Sequence, residues 1–354
     1  MAEILGLGLT HYSGLRFTDA DMSIFLRKTL EGPNIPPAMK DPANWPAPMR
    51  AEWSDDQGAA FGAIHRKQHL DAFARMNEEL ARFNPDFIVM WGDDQYENFV
   101  EDLVPPFCAY LLDEFVSTPF KPDPHQPEAP NAWGEPADTA FTHQGHVDGA
   151  TYLVEQLSER GIDIPYAYRL RHHRGLSHAF INTLMFMDYD RTGFPYPIVP
   201  FHVNCYGGDL IRTQGGHLPP GDEGQRRDPP APSARACFDL GANIASVLAA
   251  SPWRVALIAS SSWSHAFLTA KNHWIYPDHE SDRERLAELR DGKFGQWRAL
   301  GAAEIETAGQ HEFRNWICLA GAMNELNAEA EVEVVDYLET YVMNSNKCFA
   351  VLRP

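Results

Sequence analysis

The sequence predicts an α/β fold, a layered sandwich in which a central mixed sheet is flanked by helices and carries long Pro-rich loops. Short runs rich in Ile, Val and Leu, apolar nearly throughout, suit strands covered on both faces. They alternate with helical stretches, which favours a layered arrangement. Three of the runs also stop at a histidine or a polar cluster instead of an ordinary turn. Ile4 to Leu9 ends at Thr10-His11, Phe87 to Trp91 at Gly92-Asp93-Asp94-Gln95, and Val255 to Ala259 at Ser260-Ser261-Ser262-Trp263-Ser264-His265. In an open α/β sheet ligands bind outside the carboxyl ends of the strands, so these distant residues can converge. That is the layout of an active site.

Further strands are expected at Pro197 to Asn204 and Val332 to Tyr341, and helices at Ala60 to Arg82, Asp148 to Arg160, Ala236 to Ala250 and Ser281 to Arg290. Gly161 is placed as a C-terminal stop for the second helix. Regions 32–55, 115–140 and 207–232 carry many prolines and little periodicity. Irregular loops of that length inside a compact domain are usually lids or interface arms. None reads as a linker and no repeat is visible, so residues 1–354 are expected to form a single catalytic domain.

Composition narrows the class. An apolar fraction of 44% over 354 residues is enough to bury a large core. No apolar stretch reaches the roughly 18 to 20 residues of a spanning helix, and Met1-Ala2-Glu3 lacks the basic start of a secretory signal, so a cytoplasmic protein is expected with no membrane partner. Five cysteines (Cys108, Cys205, Cys237, Cys318 and Cys348), without a Cys-x-x-Cys pair, argue against a disulfide framework or thiolate metal site. A formal net charge of -20 argues against a nucleic-acid partner. The Pro-rich arms leave room for a homodimer.

Several residues can carry chemistry. His11, where a buried strand meets a Tyr-Ser-Gly turn, can ligate a metal or bind a ligand; the competing reading is an imidazole satisfied by a loop carbonyl. Asp93 and Asp94 incur desolvation and mutual repulsion unless a cation or donors lie near, or they form an Asp-rich turn capping the next helix. The Ser260 to His265 loop can hold an oxygen-rich substrate and take its proton. A Ser-His nucleophile is the rival reading, but the G-x-S-x-G elbow is missing. The segment Pro277 to Asp282 offers a carboxylate, or merely a helix cap at Ser281 or Asp282. Arg171-His172-His173-Arg174-Gly175-Leu176-Ser177-His178 offers an acid/base imidazole and cations for a carboxylate-bearing substrate. A solvated loop is the alternative, more so for His172 and His173 than for His178.

Taken in order, these motifs resemble the LigB-type (class III) extradiol ring-cleavage dioxygenases, especially the 3-O-methylgallate and gallate branch. The resemblance runs nearly end to end: the strand into His11, PDFIVMWGDDQ at Pro85 to Gln95, Gly-Leu-Ser-His ending at His178, VPFHVN, PSARACFDLG, the Ser/His loop, Glu280-x-Asp282, EFRNWICLAGAM and a closing VVDY. It implies a LigB-like fold and Fe(II) held by two histidines and a carboxylate, a set that leaves positions for a catechol diol and O2. By resemblance His11 is one ligand and Glu280 the carboxylate. Many relatives place Asn-Asp-His at the end of the second strand, where this chain has Asp94-Gln95. The remaining ligand is then Gln95, a weaker neutral donor, or His65 on the preceding helix, unless His65 is only an exposed helix residue. The resemblance assigns His265 as the base that deprotonates the catechol and His178 as the partner that hydrogen-bonds substrate or protonates an intermediate. Ser261, Ser262 and Trp263 depart from the family's Ser-Gly-Gly-x-Ser-His, and Ser262, Trp263 and Ser264 are expected in the substrate wall, with Arg171 as a cation.

The expected activity is thus a non-haem Fe(II) dioxygenase opening the ring of a catechol- or gallate-type substrate with O2. Two alternatives stand beside it. One is a divalent-metal hydrolase using Asp93, Asp94, His11 and Glu280 around Zn(II). The other is a non-catalytic binding relative.

Overall fold

The computed structural model describes residues 3–122, 128–172, 175–208, 211, 213–214 and 229–354. In chain order the strands and helices are β1 (Ile4–Leu9), α1 (Ile24–Glu31), α2 (Ala47–Trp53), α3 (Ala59–Phe83), β2 (Phe87–Gly92), β3 (Phe107–Tyr110), β4 (Glu114–Ser117), β5 (Phe141–Gln144), α4 (Val147–Glu159), β6 (Tyr166–Ala167), α5 (His178–Met187), β7 (Ile198–Val203), α6 (Ala234–Ala249), β8 (Val255–Ser260), α7 (His279–Arg290), α8 (Ala302–Thr307), α9 (Phe313–Leu326), β9 (Glu331–Leu338) and β10 (Lys347–Arg353).

Eight strands form one mixed sheet in the order β6-β3-β7-β2-β8-β1-β10-β9, and β4 pairs with β5 apart from it. The centre is parallel: β1 runs beside β8, β8 beside β2, and β2 beside β7. β10 and β9 close one side antiparallel. Leu9 lies opposite Ser260, Trp91 opposite Ala259, and Gly92 opposite His202. The parallel strands therefore end level with one another, and their loops emerge at one place.

Alternation along each strand divides the core. Leu5, Leu7, Leu9, Ile88, Met90, Ala256 and Ile258 pack on one face with Phe73, Met76 and Leu80 of α3 and Phe180 and Leu184 of α5. Phe87, Val89, Trp91, Val255, Leu257 and Ala259 pack on the other with Leu240 and Ile244 of α6 and Trp316 and Ile317 of α9. Burial on both faces explains why these strands read as unbroken apolar runs. A Cβ on Gly8 would sit 2.1 Å from the Trp316 ring, so glycine is what lets α9 lie against β1. A Cβ on Gly241 would meet the Cys318 carbonyl at 1.8 Å, so α6 and α9 also pack backbone to backbone.

The layered α/β expectation matches this architecture. The expected helices begin and end within two residues of α3, α4, α6 and α7, and Gly161 follows α4 at φ 78°. α7 starts two residues early because Asp278 accepts a hydrogen bond from the Ser281 amide and caps it. Region 32–55 is not wholly irregular: it contains two 3-10 turns and α2, and Trp45 packs on Trp53. Most of region 207–232 and part of 115–140 lie outside the described residues. All five cysteines are buried and free. No helix among the described residues is long and apolar enough to cross a membrane.

Candidate active site

The loops at the level carboxyl ends of β1, β2 and β8 bring His11, Asp93 and His265 together, and the starts of α5 and α9 add His178 and Glu312. His11 Nε2 lies 3.3 Å from Glu312 Oε2 and 3.9 Å from Asp93 Oδ1. His265 Nε2 lies 3.4 Å from the same Glu312 oxygen. Ligand atoms of His11, Asp93 and His178 all fall within 4.8 Å of one another. The His11 and His178 rings meet edge to face with centroids 5.0 Å apart. Asp93 and Glu312 are fully buried, and His178 is only 10% exposed.

Each imidazole is held by its second nitrogen. His11 Nδ1 is 3.1 Å from both the carbonyl and the hydroxyl of Ser260, and His265 Nδ1 is 3.0 Å from the Trp263 carbonyl. A carbonyl can only accept, so in both rings Nδ1 carries the proton and Nε2 presents a lone pair. The Ser260 hydroxyl is itself fixed by Thr183 and the Ala179 carbonyl. His178 differs. Its Nδ1 meets Glu97 Oε2 at 3.0 Å, while its backbone N–H donates to Glu97 Oε1 at 2.9 Å.

Protonation is pushed in opposite directions across the site. Burial disfavours the charged form of His178, but Glu97, Asp93 and Glu312 overcome this and lift it to about 9. Burial lowers His265, against the opposing pull of Glu312. Burial and repulsion by Glu312 raise Asp93 to about 7. Burial works to raise Glu312 as well, but His265 and His11, when either imidazole takes up a second proton, and the Tyr206 hydroxyl hold it well below the usual carboxylate range. Its place at the N-terminus of α9 also favours the anion.

The donor set fits a divalent cation. Among the described residues, neither Asp93 oxygen and not Glu312 Oε2 has a hydrogen-bond partner, although all three are buried. Buried carboxylate oxygens are costly unless paired or metal-bound. Donors about 2.1 Å from one ion lie about 3 Å apart when adjacent and about 4 Å apart when opposite, which brackets the 3.3 to 3.9 Å separations here.

Other residues singled out from the sequence fall elsewhere. Glu280 is exposed in the first turn of α7, away from the cluster; the carboxylate beside His11 is Glu312. His65 is buried, not exposed, against Phe61, His69 and Tyr12, and both its nitrogens lack partners, but it belongs to no group of metal-ligand side chains among the described residues. Gln95 does reach the centre, where its Nε2 donates to Glu312 Oε1 at 3.0 Å and to the Tyr206 hydroxyl at 2.7 Å.

The expected substrate wall is mostly scaffold. Ser262 bonds Thr10 at 2.7 Å, and Trp263 is wholly buried against Phe313, Trp316 and Tyr337. Ser264 donates its hydroxyl to the Ala308 carbonyl and its amide to Asp282. Side chains consumed by internal packing cannot face a ligand. Arg171 is exposed and paired with Asp102 at 2.8 Å, and His172 is drawn to the same carboxylate. His173 and Arg174 lie outside the described residues. Asp94 accepts the amides of Glu97, Asn98 and Phe99 and so closes a turn, but β3 and not a helix follows, so it is not the helix cap that the alternative reading expected.

Glu312 and Tyr206 are the site residues that sequence reasoning missed. Glu312 carried one signal: a lone acid opening an almost wholly apolar helix in Glu312-Phe313-Arg314-Asn315-Trp316. Tyr206 carried none beyond following the seventh strand.

The fold and site together define an α/β protein with a buried carboxylate and imidazole centre beyond its parallel strands. A family model described as the catalytic LigB subunit of aromatic ring-opening dioxygenase matches residues 228–346, a stretch that includes His265 and Glu312. A 2,3-dihydroxyphenylpropionate/2,3-dihydroxicinnamic acid 1,2-dioxygenase 2 of Pseudomonas putida is 29% identical over 125 residues, which cover 35% of this chain and 32% of that one. A 2,3-dihydroxyphenylpropionate/2,3-dihydroxicinnamic acid 1,2-dioxygenase of Comamonas testosteroni is 27% identical over 243 residues, 67% of this chain and 60% of that one. A 1,2-dioxygenase 2 of the same name from Dechloromonas aromatica is 24% identical over 292 residues, 75% of this chain and 84% of that one. The chain thus spans about a third of the first relative and three-fifths of the second. Among solved structures, an uncharacterized protein of Escherichia coli K12 superposes with a TM-score of 0.46 at 12% identity, covering 80% of this chain and 92% of that one. Over residues 228–346 the chain is similar to the LigB family. The gallate and methylgallate branch that its motifs resemble is not singled out, since these relatives are named for dihydroxyphenylpropionate and dihydroxycinnamate.

Proposed function

We propose that this protein is a non-haem Fe(II)-dependent extradiol dioxygenase that opens the aromatic ring of a catechol-type substrate with O2. The observation that carries the proposal is the set of buried carboxylate oxygens on Asp93 and Glu312, without hydrogen bonds among the described residues, facing the bare Nε2 atoms of His11 and His265. In this reading His11 Nε2, Glu312 Oε2 and Asp93 hold the ion, and Glu312 takes the place expected of Glu280. This set has one imidazole and two carboxylates where two imidazoles and one carboxylate were expected, and Fe(II) held by three side chains would still have open positions for a diol and O2 side by side.

The remaining chemistry belongs to the two other histidines. His265, kept neutral by burial and with its Nδ1 proton tied to the Trp263 carbonyl, is the base that accepts a substrate hydroxyl proton at Nε2. His178, kept protonated by Glu97, donates from Nε2 to a substrate oxygen as negative charge develops there. Two groups of the same type with opposed protonation preferences divide the base and acid roles. The site is deep, which keeps bulk water from competing for protons.

The relatives' names make vicinal dihydroxy aromatic acids the first substrates to try, followed by gallate, 3-O-methylgallate, protocatechuate and simple catechols. The test is oxygen uptake by anaerobically purified, Fe(II)-reconstituted protein while the ultraviolet-visible spectrum is recorded. Uptake matched by a ring-opened chromophore is the expected result. Turnover with Zn(II) under strict anaerobiosis, and none with Fe(II), would instead mark a hydrolase, the reading that a second carboxylate in the centre favours. A protein that binds no divalent metal would be a binding relative.

A further inference from the structure

Resting on the reading of this centre as a divalent-metal site, we propose that Gln95 and Tyr206 form a clamp that makes Glu312 a single-oxygen ligand, Gln95 being a positioning residue and not itself a ligand. Three hydrogen bonds close a triangle. The Tyr206 hydroxyl donates to Glu312 Oε1 at 2.5 Å, Gln95 Nε2 donates to the same oxygen at 3.0 Å, and Gln95 Nε2 also donates to the Tyr206 oxygen at 2.7 Å. The proton count admits only one arrangement. Tyr206 has a single proton and spends it on the carboxylate, so its oxygen must accept, and the two amide protons of Gln95 supply the other two bonds. Turning the Gln95 amide over would set its oxygen against a carboxylate oxygen with no proton between them. Nε2 therefore stays on Glu312.

The clamp acts on one oxygen only. Both donors converge on Oε1, whereas Oε2 has no hydrogen bond among the described residues and faces the Nε2 atoms of His11 and His265 at 3.3 and 3.4 Å. A carboxylate free to rotate could take two metal positions. Held by Oε1, it presents Oε2 alone, leaving positions for substrate. Tyr206 is in turn backed by the His311 ring, 5.6 Å away and nearly parallel, and lies almost wholly inside the core. The residue standing where the resemblance led us to expect a ligand thus orients the carboxylate that replaced Glu280.

The test is anaerobic titration of the apo-protein with Co(II), reading the binding constant and the visible absorption of the bound ion, for the wild type, Tyr206→Phe, Gln95→Leu and the double variant. Groups that orient a metal ligand typically contribute 10- to 100-fold in metal affinity. Each single variant is expected to weaken Co(II) binding by about that factor. The double variant should lose less than the product of the two, because both donors serve one oxygen. The Co(II) band should shift in the same direction in all three as Oε2 loses its fixed orientation, while thermal melting of the apo-proteins reports that the fold survives. If Gln95→Leu loses Co(II) and Tyr206→Phe keeps both the affinity and the spectrum of the wild type, Gln95 is a ligand and the clamp is wrong. If the wild type itself takes up no Co(II), the reading of the centre as a metal site falls and the clamp with it.

Discussion

Glu280 and Glu312 make a controlled comparison at the scale of single residues. Both open a helix, but Glu280 stands in water and Glu312 is buried against two imidazoles. Glu312→Gln and His11→Ala are expected to abolish stoichiometric iron binding and turnover, and Glu280→Ala to leave both unchanged, checked by metal analysis and oxygen uptake. The opposite result for Glu280 would return the carboxylate role to it. His265→Ala should keep its metal and lower kcat by about 10²- to 10⁴-fold, the usual contribution of a positioned base. Loss of the metal together with activity would make His265 a ligand. His11, His178 and His265 were visible in the sequence because each follows or opens an apolar element. Trp263 and Ser264 misled because a polar loop after a strand looks alike whether it faces a ligand or, as here, the helices beneath it.

At the scale of elements, the site depends on how closely α9 approaches β1. The Ile-Leu-Gly-Leu-Gly-Leu pattern of β1 puts leucines on the α3 and α5 face and glycines on the α9 face, where the Trp316 ring occupies the space a side chain would need. Trp316 Nε1 then donates to the Ser261 carbonyl, tying α9 to the loop that carries His265. Gly8→Ala drives a methyl into a rigid ring that cannot yield. It is expected to destabilise the fold by about 3 kcal/mol, at the upper end of overpacking costs, read as a lower urea midpoint with unchanged slope. A midpoint equal to the wild type would show that α9 can move away. The strands β1, β2, β7, β8 and β9 and the helices α3, α4, α6 and α7 were legible because their periodicity is local. The helical character of Phe313–Leu326 went unread, since a stretch buried nearly all round has no polar face to mark its period.

At the scale of the molecule, the sheet joins the two ends of the chain: β1 pairs with β10, and β10 with β9. Glu79 of α3 secures that edge, bonded to Arg75 and Arg82 and lying 3.0 Å from Arg353 of β10. Burial opposes its ionisation, but the three guanidiniums carry it from 4.5 down to about 2. A carboxyl depressed in the folded state stabilises fully above its unfolded value, and that contribution is lost as pH falls from there through about 2. Glu79→Gln should therefore lower the urea midpoint at pH 7, and the gap from the wild type should narrow between pH 4.5 and 2. A gap independent of pH would show that the effect is packing alone.

By itself the sequence determined the layered α/β class, and it pointed to the strands and the three histidines of the candidate site, because strand burial and strand-end polarity are local properties of the chain. Only the tertiary structure decided which carboxylate meets them. Glu312 lies some fifty residues beyond its His265 neighbour and three hundred beyond His11, and it reaches them only because Gly8 admits α9 against β1. The same closeness turned Gln95 toward the carboxylate and consumed Trp263 and Ser264 in the scaffold. A residue's type and spacing announce what it can do; which partner it faces is set by packing between elements distant in sequence, and no local pattern records that.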